Sequence, residues 1–195
     1  MAIINFEAII KYYYKEDTPL RHILLMHSRQ VADRALRICD RHPELHLDRA
    51  FLEAAAMLHD IGIIRCNAPG IQCFGTEPYI LHGLIGAKML GEYSSNNNAL
   101  SFGEGGTTPD AFARVCARHT GAGISREQII RQQLPLPLDD YLPETLEEQV
   151  ICYADKFYSK SHLDQEKTLA EAEHSLMKFG EEGVARFRQW AGLFE

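Results

Sequence analysis

Ala54-Ala55-Ala56-Met57-Leu58-His59-Asp60-Ile61-Gly62 is a run of small and apolar residues that closes on an imidazole, a carboxylate and a glycine. Asp48 stands where an N-cap belongs, so the run predicts a helix over 49–59, with Ile61-Gly62 as its terminator. Upstream, Thr18-Pro19-Leu20 reads as a helix start, with Thr capping and Pro at the first helical position. From there Ile23, His27, Val31, Ala35 and Ile38 recur on one face until His42-Pro43. Downstream, a helix over about 78–93 carries His82, Ile85, Gly86 and Met89 on one side, and Ser94 with the following asparagines signals its end. Another helix is expected over 109–119. Ser125 to Gln128 and Thr145 to Glu148 both have the capping-box form, and the second opens a helix with Val150, Ile151, Ala154, Asp155 and Tyr158. Two short amphipathic helices, 168–179 and 181–194, follow. No segment alternates as a half-buried strand does, and no hairpin dipeptide lies between β-branched runs. The expectation is one all-α domain over 1–195, with two long loops, 64–77 and 94–109, as candidates for a functional role.

Composition narrows the function. The chain has 195 residues, 46% of them hydrophobic, and a net charge of −7. That charge disfavours non-specific nucleic-acid binding, so a phosphorylated partner would need a local positive site. No apolar run is long enough to span a bilayer, and the N-terminus lacks signal-peptide features. Five widely spaced cysteines argue against a disulfide framework and for a reducing cytoplasm. Cys66 and Cys73 lack a second pair at zinc-ribbon spacing and read as loop thiols.

The histidines separate into classes. His42, His46, His162 and His174 lie in charged or loop-like surroundings, and His22 is equally consistent with a core role or none. His27, His59, His82 and His119 each lie on or end an apolar stripe, and Asp60 and Asp155 share that setting. Any one alone would more often be a satisfied core residue. Together they put four imidazoles and two carboxylates on inward faces, where a buried carboxylate needs a partner and a shared metal would serve them all. Imidazole and carboxylate suit borderline and hard cations.

His27, then His59-Asp60 before Ile-Gly, then Asp155, resembles the H…HD…D signature of the HD-domain metal-dependent phosphohydrolases. The likeness covers roughly residues 20–160 and implies an HD-domain helical bundle, with the helices of 165–195 appended. His82 and His119 make the chain similar to the dinuclear branch, most of all to the bacterial HD-type symmetrical dinucleoside-tetraphosphate hydrolases. The tripeptide of the HD-GYP branch is absent, and Thr120 stands where that branch has a second histidine. The resemblance implies one metal held by His27, His59, Asp60 and Asp155, and a second held by His82 and His119, with Asp60 between them. It implies two divalent ions, iron or manganese first, with zinc, nickel or magnesium as alternatives. The implied reaction is hydrolysis of a nucleotide phosphate ester or anhydride, with Arg65, Arg118 and Lys156 as candidate phosphate contacts and Arg126 and Lys160 ranked below them. A dinucleoside polyphosphate is the first substrate, a mononucleotide the second. A regulatory module that binds metal or nucleotide without turnover is the non-enzymatic reading. Oligomeric state is left open.

Overall fold

The computed structural model describes residues 4–97 and 109–195. Helices dominate it: α1 (Phe6–Tyr13), α2 (Pro19–Arg41), α3 (Arg49–Leu58), α4 (His82–Asn97), α5 (Pro109–Arg118), α6 (Arg126–Gln132), α7 (Leu146–Asp155), α8 (Leu169–Leu176) and α9 (Glu181–Phe194). The all-α expectation therefore holds for the bundle. The helix starts follow the caps. Thr18 accepts from Arg21 N at 3.2 Å and Asp48 from Phe51 N at 3.0 Å, each satisfying an amide that the first turn leaves unpaired. Ser125 and Gln128 form a full capping box. The box expected at Thr145 is only half made. Thr145 accepts from Glu148 N, but Glu148 turns to Glu144 N, Arg114 and Arg118. Two arginines attract that buried carboxylate more strongly than one amide does.

Expectations about the loops and helix bounds also change. Residues 66–78 are not a structureless loop: β1 (Cys66–Ala68) pairs antiparallel with β2 (Cys73–Phe74) and parallel with β3 (Glu77–Pro78). These strands are two or three residues long, too short for alternation to register in the sequence. The helix expected from 78 starts at His82, after a 3-10 turn over Tyr79–Leu81, and runs through Ser94 to Asn97. The rest of the 94–109 loop, residues 98–108, lies outside the described residues. A second hairpin, β4 (Tyr158–Ser159) against β5 (His162–Glu166), follows α7.

One apolar core runs from Ile9 and Leu24 through Leu58 and Ile151 to Phe187 and Phe194. The C-terminal helices belong to it: Tyr153 of α7 lies 4.9 Å from Phe187 and 5.5 Å from Phe194, centroid to centroid. The N-terminal segment carries no motif, yet it locks the central turn. Tyr14 is buried at the end of α1, donates to Ile61 O at 2.9 Å and accepts from Ile64 N at 3.2 Å.

Gly62 does not terminate α3, which ends at Leu58; it lies within a 3-10 turn over Ile61–Arg65. A Cβ there would meet His82 O at 2.1 Å and Gly86 N at 2.5 Å. Its glycine is needed because the backbone of α4 passes against it. Gly83 does the same on the other side of α4, where a Cβ would stand 2.3 Å from Cys116 O of α5. These two close approaches bring the ends of α3, α4 and α5 to one point.

Candidate metal centre

The structure brings His27, His59, Asp60, His82, His119 and Asp155 together, all buried. Asp60 divides them. Its Oδ2 faces His27 Nε2 and His59 Nε2, each at 3.1 Å. Its Oδ1 faces His82 Nε2 and His119 Nε2, each at 3.4 Å. Asp155 Oδ1 joins the first group, 2.9 Å from His27 Nε2 and 3.6 Å from His59 Nε2. Two donor groups thus share one carboxylate.

Helix ends orient three of the rings. His59 Nδ1 donates to Ala56 O at 2.6 Å, His82 Nδ1 to Tyr79 O at 2.7 Å and His119 Nδ1 to Cys116 O at 2.7 Å. Each acceptor lies three residues back: Ala56 and Cys116 in the last turns of α3 and α5, whose carbonyls have no further helix to pair with, and Tyr79 in the 3-10 turn that leads into α4. A carbonyl can only accept, so Nδ1 carries a proton in each ring, and Nε2 is the atom that faces the cluster and can ligate when the ring is neutral. His27 lies inside α2, where the carbonyls are engaged in the helix, and its Nδ1 has no partner.

These donors fit a metal. His27 Nε2, His59 Nε2 and both oxygens of Asp60 are buried without a hydrogen bond of acceptable geometry. Leaving such atoms unsatisfied is costly. Donors about 2.1 Å from one ion and at right angles to each other stand about 3 Å apart, close to the spacings seen here.

The charges are tightly coupled. Burial works against charge on Asp60 and Asp155, but His59 and Lys160 around Asp60, and Lys156 and His27 around Asp155, hold both well below the usual carboxylate range. Burial also opposes charge on His59, yet Asp60 and Asp155 outweigh it and lift the ring to about 9. Burial, then His119, push His82 down to about 3. Burial lowers His119 as well.

The five candidate cations separate, and Arg126 is exposed and does not line the cavity beside the cluster. Lys156 is at the site, its Nζ 2.5 Å from Asp155 Oδ2 and 3.0 Å from His119 O. Lys160, ranked low from sequence, reaches Asp60 Oδ2 at 2.5 Å from the β4–β5 turn. The sequence ranked it low because the hairpin that turns it inward was not foreseen. Arg118 is not at the site: its guanidinium pairs with Glu144 at 2.9 Å and with the buried Glu148 at 3.0 Å. Arg65 is exposed and does not line the cavity beside the cluster.

That cavity, about 390 Å³, is bounded by His82, His119 and Asp155 at the cluster and by Tyr79, Leu176 and Phe179. Lys156, Lys160, Lys167 and Lys178 also line it. No described helix is long and apolar enough to cross a membrane, and all five cysteines are free thiols.

The HD domain family matches residues 24–159 of the chain. Among curated proteins, a tRNA (cytidine(56)-2'-O)-methyltransferase of Picrophilus torridus is 30% identical over 176 residues, covering 86% of this chain and 43% of that protein. An uncharacterized protein of Methanocaldococcus jannaschii is 34% identical over 120 residues, 62% of this chain and 56% of that protein. A tRNA (cytidine(56)-2'-O)-methyltransferase of Thermoplasma volcanium is 29% identical over 136 residues, 70% of this chain and 32% of that protein. The chain thus spans roughly a third to just over half of the length of these relatives. No solved structure matches it.

Proposed function

We propose that this chain, which belongs to the HD-domain family, is a metal-dependent phosphohydrolase that cleaves a phosphate ester or anhydride of a nucleotide. The observation that carries the reading is the approach of His82 Nε2 to His119 Nε2 at 2.9 Å. With both Nδ1 protons donated to carbonyls, two lone pairs face each other, and His82 resists protonation down to about 3. A shared cation other than a proton relieves that repulsion. His27, His59, Asp60 and Asp155 would hold one divalent ion, and Asp60, His82 and His119 a second. When bound, such ions polarise a phosphoryl oxygen and lower the pKa of water.

The chain's own groups supply the rest. The carbonyls of Ala56, Tyr79 and Cys116 hold three rings in the ligating tautomer. Lys156 ties the backbone of His119 to Asp155, and with Lys160 it brings positive charge to the cavity edge where a phosphoryl group would lie. Hydrolysis forms a bond from water oxygen to phosphorus and breaks the bond from phosphorus to the leaving oxygen, which takes up a proton. A cavity of about 390 Å³ is near the lower end for ligand pockets, which favours one nucleotide unit inside it. A dinucleoside polyphosphate would leave its second nucleoside outside. The tRNA in two relatives' names supports a second reading, a phosphate at an RNA end. Methyl transfer belongs to proteins of which this chain spans less than half.

The test is phosphate release by chelator-treated protein, with and without added Mn²⁺ or Fe²⁺. The substrates are p-nitrophenyl phosphate, adenosine monophosphate, diadenosine tetraphosphate and a short RNA with a terminal phosphate. Metal-dependent release from a nucleotide is expected. Stoichiometric metal binding with no release from any of them would leave a binding module and sink the hydrolase reading.

A further inference from the structure

The cavity beside the cluster is lined by Lys156, Lys160, Lys167 and Lys178, while Asp155 is the one carboxylate among its lining residues. This concentration of positive charge sits in a chain of net charge −7. The lysines fall into two pairs. Lys156 and Lys160 are each balanced by a carboxylate at 2.5 Å, Asp155 and Asp60. Lys167 and Lys178 have no ion-pair partner among the described residues. Lys167 donates to Lys156 O at 3.2 Å, and Lys178 lies 5.1 Å from the centre of the Phe179 ring.

The two unbalanced lysines come from opposite ends of α8, one just before its cap Thr168 and one in the 3-10 turn over Met177–Phe179 that follows it. An eight-residue helix is about 12 Å long, yet both lysines reach the same cavity. Burial, together with the neighbouring ammoniums of Lys156, Lys178 and Lys160, holds Lys167 below the usual lysine range despite Asp155. Like charges gathered on one partly enclosed surface repel unless a ligand brings negative charge.

We infer that Lys167 and Lys178 form a second anion subsite, so that the ligand carries another phosphoryl group besides the one at the His/Asp cluster. This deepens the hydrolase reading and rests on it for the placement of the first phosphoryl group. The ligand class becomes a nucleotide with two or more phosphoryl groups rather than a simple phosphomonoester.

Propane-1,3-diphosphonate and propylphosphonate differ by one phosphonate, and their P–C bonds resist hydrolysis. Calorimetric titration of the metal-loaded chain should give tighter binding of the diphosphonate. Lys167→Gln, which keeps a donor for Lys156 O, and Lys178→Gln should each weaken diphosphonate binding by about tenfold, the loss of one charged hydrogen bond, and leave propylphosphonate within about twofold. Lys88→Gln, an exposed control with the same charge change, should alter neither. Circular dichroism checks that each variant is folded. Equal binding of the two probes by the parent chain, or equal losses for both probes in the variants, overturns the subsite. Binding needs no turnover. A chain that shows this pattern but hydrolyses no substrate keeps the subsite and loses the hydrolase reading, while the reverse result loses the subsite alone.

Discussion

Replacing Lys160 with methionine tests whether a buried cation holds the cluster together when metal is absent. Lys160 Nζ lies 2.5 Å from Asp60 Oδ2, with the two side chains 13% and 0% exposed. At that separation and an effective dielectric of about 20, the attraction is about 7 kcal/mol. Desolvation offsets much of it, and removing one partner of a buried pair costs about 3–5 kcal/mol. With a urea dependence of about 2 kcal/mol per molar, the unfolding midpoint of chelator-treated Lys160→Met should fall by about 2 M. Divalent ions at the cluster would supply the missing positive charge, so saturating Mn²⁺ should raise the variant's midpoint more than the parent's. Urea unfolding followed by circular dichroism, with chelator and with Mn²⁺, gives the four midpoints needed. A variant that unfolds at the parental midpoint without metal, or loses the same amount with and without it, refutes the reasoning.

Asp60→Asn should lose metal from both donor groups, because Asp60 faces each of them, whereas His82→Ala should retain the ion held by His27, His59 and Asp155; elemental analysis of purified protein checks this, and two retained equivalents in Asp60→Asn would sink the shared-ligand geometry. Gly62→Ala must push its Cβ away from His82 O, which would stand at 2.1 Å; overpacking of this kind costs about 1–3 kcal/mol or more, and thermal unfolding with metal analysis should show lower stability and weaker binding at the His82 side. A parental melting curve would contradict the close approach. His59 has a pKa of about 9 in the folded chain against 6.5 when free, so the stability its proton supplies is full below pH 6.5 and lost as pH rises through about 9. Chelator-treated protein should therefore lose stability across that window while metal-loaded protein holds, and a flat profile without metal would show that the proton on His59 contributes nothing.

The ligand types were legible in the sequence because helical periodicity and capping are local. Thr18, Asp48 and Ser125 mark helix starts within a few residues, and the apolar stripes point His27 and Asp155 inward. The ordered H…HD…D pattern then named the family that the match over residues 24–159 shows. Apart from Lys156, the charged residues around the site were not legible. Arg118 stands next to His119 in sequence but pairs with Glu148, thirty positions away. Lys160 enters the cluster because a two-stranded hairpin turns it inward, and strands of two and five residues leave too little pattern to read. Tyr14 holds the Ile61–Ile64 turn across nearly fifty residues. Local chemistry thus determined which side chains face the core and which could bind a metal. Tertiary structure alone decided which cations meet which carboxylates, because a flexible charged side chain takes its partner from whatever packing brings within a few ångströms, and that distance is set by contacts remote in the chain.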